Sequence, residues 1–195
     1  LTYLAGRYGF GPNTAEILEE LNYEVDISPA VPINFSADGG PDYSDYSNDP
    51  YWFGKQRKLL GLAGTGGYAG VLDRGGTPLY NSLTRTLMRR SKLSGRVARL
   101  RLMERIRLSP EDYSEPELRR ITNTLIRDGV RIFVFSFHSP SIHPGGTPYV
   151  QSEADLKRFL DKCRRYFYYF LKTLNGIPMT PVEIRRYLES VSSTE

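Results

Sequence analysis

Apolar residues fall in three spacings along this chain, and each predicts a different kind of element. Spacings of three and four mark helices. Ala15, Ile17, Leu18 and Leu21 predict one that begins with Pro12, where a missing N–H costs nothing at a first turn. Leu118, Ile121, Leu125 and Ile126 predict another, started by a Ser114–Glu117 capping box and closed by Gly129. Ser152 and Asp155 form a second box ahead of a long helix that runs through Leu156, Phe159, Cys163, Phe167 and Phe170 to an Asn175–Gly176 stop. Thr180, Pro181 and Glu183 repeat the start signal for a last helix. Short alternating runs at the opening LTYLAG, at residues 23–27 and at 105–108 predict strands, with a glycine-weakened candidate in KLLGLAGTGG. VRIFVFSF, residues 130–137, is apolar at nearly every position, the pattern of a strand buried on both faces of a parallel sheet. Residues 29–57 keep neither period and predict a long loop, packed by Phe35, Tyr43, Tyr46, Tyr51, Trp52 and Phe53. Strands alternating with helices predict an α/β architecture with parallel strands.

Length and composition fit this picture without narrowing it much. The 195 residues suffice for one domain spanning 1–195 with its own core, and 39% apolar with 25% charged residues lies in the globular range. The single cysteine, Cys163, sits in a helical apolar pattern, which excludes an intramolecular disulfide and a cysteine-based zinc site. No run reaches the roughly 18–20 apolar residues of a membrane span, and no signal core follows Leu1, so a cytoplasmic location is the expectation. Because the chain opens on Leu1 with a strand-like run, it is expected to be a piece of a longer protein. The net charge of +4 is concentrated in residues 85–107, with nine Lys or Arg against one acid in two amphipathic helical patterns broken at Gly95. Such a stretch is either a solvated basic helix face or a surface for an anionic partner such as nucleic acid.

Candidate chemistry gathers where predicted strands end, since in parallel α/β folds the loops there surround one crevice. His138 follows VRIFVFSF directly and is the candidate general acid, an imidazole able to protonate a leaving group near neutral pH. His143, five residues on and next to Pro144, reads as a loop residue. Two histidines are too few donors to expect a complete His-based metal site from this chain alone. Arg7 and Tyr8 follow the first strand, where an arginine can hold a carboxylate and a tyrosine a substrate oxygen. The Gly9–Phe10–Gly11 turn lacks dinucleotide-fingerprint spacing. Asp26 lies on the second strand. Asp42, with Asp38, lies in the loop beyond, either as a turn former or as a carboxylate binding sugar hydroxyls alongside Tyr51 and Trp52.

AGRYGFGPNT, LNYEVDIS, ADGGPDYS, FSFHSPSIHPGGTPYV and SEADLKRFLDKCRRYF, in this order, resemble the C-terminal part of a polysaccharide deacetylase of the NodB-homology family, in its WalW-like bacterial branch. The resemblance covers nearly the whole chain. It implies a partial, irregular (β/α) barrel lacking its N-terminal strands, and hydrolysis of acetamido groups on a polysaccharide or N-acetylated sugar. It further implies a divalent metal of the zinc or cobalt class, held by one Asp and two His, with another Asp as base and a late histidine as acid. His138 matches that histidine; Arg7, Tyr8 and Asp26 match the groove segments. The metal ligands and the base have no counterpart here, so no residue is assigned to metal, and these 195 residues are expected not to hydrolyse an amide unaided. Leu4 stands where the family pattern has an arginine and Gly146 where a cysteine is common, so a non-catalytic glycan-binding protein on the same scaffold is the alternative. A nucleic-acid partner would engage residues 85–107; oligomeric state is left open.

Overall fold

The alternating runs near the start become strands of only two or three residues, joined in one sheet. β1 (Thr2–Tyr3), β2 (Val25–Asp26), β3 (Tyr51–Phe53) and β4 (Leu59–Gly61) lie side by side in the order β1-β2-β4-β3. β1, β2 and β4 are parallel, with Thr2 opposite Val25 and Val25 opposite Leu60. The helix α1 (Thr14–Glu20) carries the chain from β1 to β2. This structure, a computed structural model, describes residues 1–56, 58–76, 78–82 and 103–192. Most of the basic stretch 85–107, with its expected break at Gly95, lies outside the described residues.

Two expectations need correction. β3 falls inside the segment read as loop: Tyr51, Trp52 and Phe53 have the shape for a pleated surface, but three residues are too few to show a period. It runs antiparallel to β4, as do β5 (Gly66–Ala69) and β6 (Glu104–Arg107), which form a separate two-stranded ribbon. The sheets are therefore not all parallel, and the architecture is mixed α/β.

α1 starts at Thr14 with Asn13 as N-cap, which leaves Pro12 in the turn before it, and the three later helices start where the sequence says. In α2 (Glu115–Arg127) the Ser114 N–H donates to Glu117 Oε2 at 2.6 Å, and in α3 (Glu153–Tyr168) the Ser152 N–H donates to Asp155 Oδ2 at 3.0 Å, so both capping boxes form. α4 (Pro181–Ser192) is capped the same way by Thr180 and Glu183. Gly67 of β5 lets α2 close on the ribbon: a Cβ there would sit 3.2 Å from a Leu125 methyl and 3.3 Å from one of Ile121.

The chain divides into two compact units, Leu1–Gly64 with Arg131–Val134 and Phe170–Glu195, and Thr65–Val130 with Phe135–Tyr169. In the first, Val25, Leu60 and Leu62 are buried, with Trp52, Ile132, Val134, Ile184 and Leu188 packed around them. In the second, Val150, Phe159 and Cys163 are buried against Phe135 and Leu156.

The run at residues 130–137 is the third correction. It forms neither strand nor helix, and its residues are half-buried or exposed from Arg131 on. Ile132 and Val134 go to the first unit's cluster, while Phe135 stacks on Tyr166 at 5.2 Å and Phe137 meets Phe159 edge-on at 5.3 Å. The near-continuous apolar run records side chains that go to two clusters, Ile132 and Val134 to one and Phe135 to the other, and the Ser136 N–H donates to the Leu108 carbonyl at 3.3 Å. Among the described residues no helix is long and apolar enough to cross a membrane.

Candidate functional site

In the first unit the three parallel strands end level with one another, at Tyr3, Asp26 and Gly61, and Tyr51 of β3 lies opposite Gly61. Paired residues share a face and successive residues alternate. Tyr3, Asp26 and Tyr51 therefore occupy one face at the strand ends, and Val25, Leu60 and Trp52 the other. Gly61 leaves room for the Tyr51 ring to lie across β4, since a Cβ there would sit 2.3 Å from Tyr51 Cζ.

Asp26 is wholly buried. Its Oδ1 accepts from the Ser28 N–H at 2.9 Å and from the Ser28 hydroxyl, whose oxygen in turn accepts from the Ala5 N–H at 2.9 Å. That relay ties the end of β2 to the loop after β1. Oδ2 is buried with no hydrogen-bond partner, and the exposed Leu4 supplies no cation to it. Burial pushes the Asp26 carboxyl above its ordinary value, against the pull of the Ser28 hydrogen bonds. The phenols of Tyr43 and Tyr51 are pushed upward, first by burial and further by the Asp26 charge, so both lie within its electrostatic reach.

Around this carboxyl the loop lays down a series of rings. Tyr8 stacks on Phe35 at 5.3 Å, Tyr43 packs edge-on to Tyr46 at 5.0 Å, and Tyr46 to Tyr51 at 6.0 Å. The Tyr43 hydroxyl donates to the Tyr8 carbonyl at 2.7 Å. Arg7 and Tyr8 both have left-handed backbones, φ 52° and 59°, each costing about 1–3 kcal/mol. The Tyr43 hydrogen bond and the Phe35 stack hold that turn, which leaves Arg7 exposed and without a partner among the described residues.

The other two candidates of this unit do different work. Asp42 closes its own loop: Oδ1 accepts from the Ser44 N–H at 2.9 Å and Oδ2 from Asn34 Nδ2 at 2.6 Å, and the Ser44 bonds hold its carboxyl below the usual range. This is the turn-forming alternative. Trp52 lies on the face opposite Asp26 and Tyr51, packed on the Val25–Leu60–Leu62 cluster with the Arg185 guanidinium 5.4 Å from its ring centroid. The adjacent rings Tyr51 and Trp52 thus serve opposite sides of the sheet, as strand alternation requires.

His138 belongs to the second unit, at the start of a short 3-10 turn, Ser139–Ile142. Its imidazole is exposed, at 62%, but its Nδ1 lies 2.8 Å from Oε2 of Glu111, a carboxylate only 3% exposed. Glu111 Oε1 accepts from the His138 N–H at 3.0 Å and from the Ser141 hydroxyl at 2.5 Å. A carboxylate at Nδ1 fixes the proton there in the neutral ring and leaves Nε2 facing solvent. The loop carrying Glu111 is itself gripped, because Lys162 Nζ donates to the carbonyls of Pro110 at 2.5 Å and Tyr113 at 2.9 Å. His143 is an exposed loop residue. Gly146 has a local reason to be glycine: a Cβ would sit 2.4 Å from the Pro140 carbonyl oxygen.

The structure thus places Asp26 at one set of strand ends with Arg7 and Tyr8 on the turn after β1, and in the second unit gives His138 a buried carboxylate. Glu111, Ser141 and Lys162 escaped the sequence reading, and Tyr43 entered it only as a ring packing the loop. Glu111 stands 27 residues before His138, and its only sequence signal is a carboxylate in the SPED loop just after a strand. Among the described residues no group of three or more His, Cys, Asp or Glu side chains is placed to hold a metal ion. The donors present do not fit the divalent metal that the resemblance implies, and no step below runs through one. Comparison of the chain with protein-family models, with curated proteins and with solved structures finds no match in any of the three.

Proposed function

We propose that this chain serves amide hydrolysis on an N-acetylated carbohydrate, with His138 as general acid, on sheets that form part of an irregular (β/α) barrel. The reading rests on the sequence resemblance. The observation that carries it is the pairing of His138 Nδ1 with the buried Glu111 carboxylate, which presents Nε2 outward. Breaking a C–N bond leaves an amine that departs poorly as an anion. An imidazolium at Nε2 delivers the proton to that nitrogen as the bond breaks, and Glu111 stabilises the cation before transfer. Within the first unit, taken by itself, the rings Tyr8, Phe35, Tyr43, Tyr46 and Tyr51 with Asp26 offer the chemistry that sugars are bound by, flat apolar faces and a fixed carboxyl.

The test is acetate release from chitooligosaccharides and N-acetylated glycan strands by the natural protein at its full length. His138→Ala is expected to lower kcat by about 10²–10⁴-fold with KM little changed. Full turnover in that variant would sink the assignment. The ring series beside Asp26 favours a second reading, glycan binding without cleavage. Saccharide affinity with no acetate release, unaltered by His138→Ala, is the result that would select it.

A further inference from the structure

The turn after His138 holds up an exposed ring that packing does not require. Within it the Gly146 N–H donates to the His143 carbonyl at 3.0 Å and the Gly145 N–H to the Val150 carbonyl at 2.9 Å. Gly145 is left-handed at φ 79°, and Gly146 has no room for a side chain. Val150 anchors the turn from below, wholly buried beside Phe159 and Cys163. Its neighbour Tyr149 is 41% exposed. The Tyr149 ring lies within 11° of parallel to the His138 imidazole, centroids 6.5 Å apart. Asp112, next to the Glu111 that holds His138, sits close enough to push the Tyr149 phenol upward by its charge. Two nearly parallel, exposed rings are therefore each tied by a neighbouring carboxylate, His138 by Glu111 and Tyr149 by Asp112.

We propose that Tyr149 is the saccharide platform of the His138 site: its ring takes the apolar C–H face of a pyranose whose acetamido group is turned to His138. The inference rests on the deacetylase reading and adds to it the residue that positions and selects the substrate. A pyranose face carries weakly positive C–H groups that meet the negative face of an aromatic ring, and a tyrosine loses only two torsions on being held. An N-acetylated amino acid lacks that face. Tyr149 thus discriminates for sugars among compounds that share the acetamido group.

The experiment is an NMR titration of the natural protein with triacetylchitotriose, following aromatic resonances, repeated with Tyr149→Ala, Tyr149→Phe and Tyr149→Trp and with N-acetyllysine as the non-sugar probe. The Tyr149 resonances are expected to shift with chitotriose and not with N-acetyllysine. Affinity should fall about tenfold in Tyr149→Ala, the upper end for one aromatic stacking interaction, and hold in the Phe and Trp variants. Equal loss in Tyr149→Phe and Tyr149→Ala would overturn the stacking role, since the phenol would then be what binds. Shifts at other rings with Tyr149 silent would overturn this inference and leave the glycan reading standing. No shift anywhere would overturn both.

Discussion

Asp26 has one carboxylate oxygen that accepts two hydrogen bonds and another that accepts none, on a side chain wholly buried. Its pH dependence follows from that contrast. Below the ordinary carboxylate value of about 4, folded and unfolded chains both carry the proton and Asp26 costs nothing. As pH rises past that value the unfolded chain releases its proton while the buried group retains it, so stability falls until the raised folded value is passed and is level beyond. Asp26→Asn removes the ionisation. It is expected to be no more stable than the natural chain near pH 3.5 and more stable near pH 8, by about 1–3 kcal/mol, the cost of one uncompensated buried polar group. Calorimetry of both chains across that range checks this, and a gap that does not widen with pH would count against it. Glu111 is the reverse case, a buried carboxylate with hydrogen bonds to both oxygens. Glu111→Gln should lower kcat of the natural protein on the order of 10²-fold with KM little changed, because an amide does not hold the Nδ1 side of the ring as a carboxylate does. A change in KM alone would make Glu111 a substrate-binding residue.

Among the elements, α4 shows how little local propensity says about attachment. Thr180, Pro181 and Glu183 announce its start in the sequence, yet its place depends on Ile184 and Leu188 meeting the Val25–Leu60–Leu62 cluster. Arg185 adds polar interactions to the same docking: it donates to the carbonyl of Glu24 at 2.8 Å and to that of Lys58, and lies over Trp52. Arg185→Ala should cost about 2 kcal/mol, because it removes a charged hydrogen-bond donor and a cation–π interaction at once. Trp52 is the only tryptophan, so its fluorescence reports on the event. A red shift in the native state of the variant marks a loosened helix, whereas an unchanged spectrum and midpoint would place α4's attachment wholly in its apolar pair. The capping boxes needed no such context. Ser114 with Glu117 and Ser152 with Asp155 are three residues apart, and a signal that short is complete in the sequence.

For the whole molecule, the chain passes between its two units at Gly64, Val130, Val134 and Tyr169, so neither unit is one stretch of sequence. The first unit's apolar cluster draws Ile132, Val134, Ile184 and Leu188 from far beyond residue 64. Residues 1–64 made alone should therefore show no cooperative thermal transition, since the sheet would leave that face in water; a sharp, reversible melt would contradict this view of the core. The sequence by itself determined the helices α1 to α4, the short strands β1, β2 and β6, the α/β class and the placement of His138 at the end of an apolar run, because those signals repeat every two to four residues or sit in a four-residue cap. Only the tertiary structure decided what VRIFVFSF does, which faces Tyr51 and Trp52 take, and that Glu111 is the carboxylate behind His138. Those outcomes depend on which distant residues pack together, and no period along the chain encodes the other side of a contact.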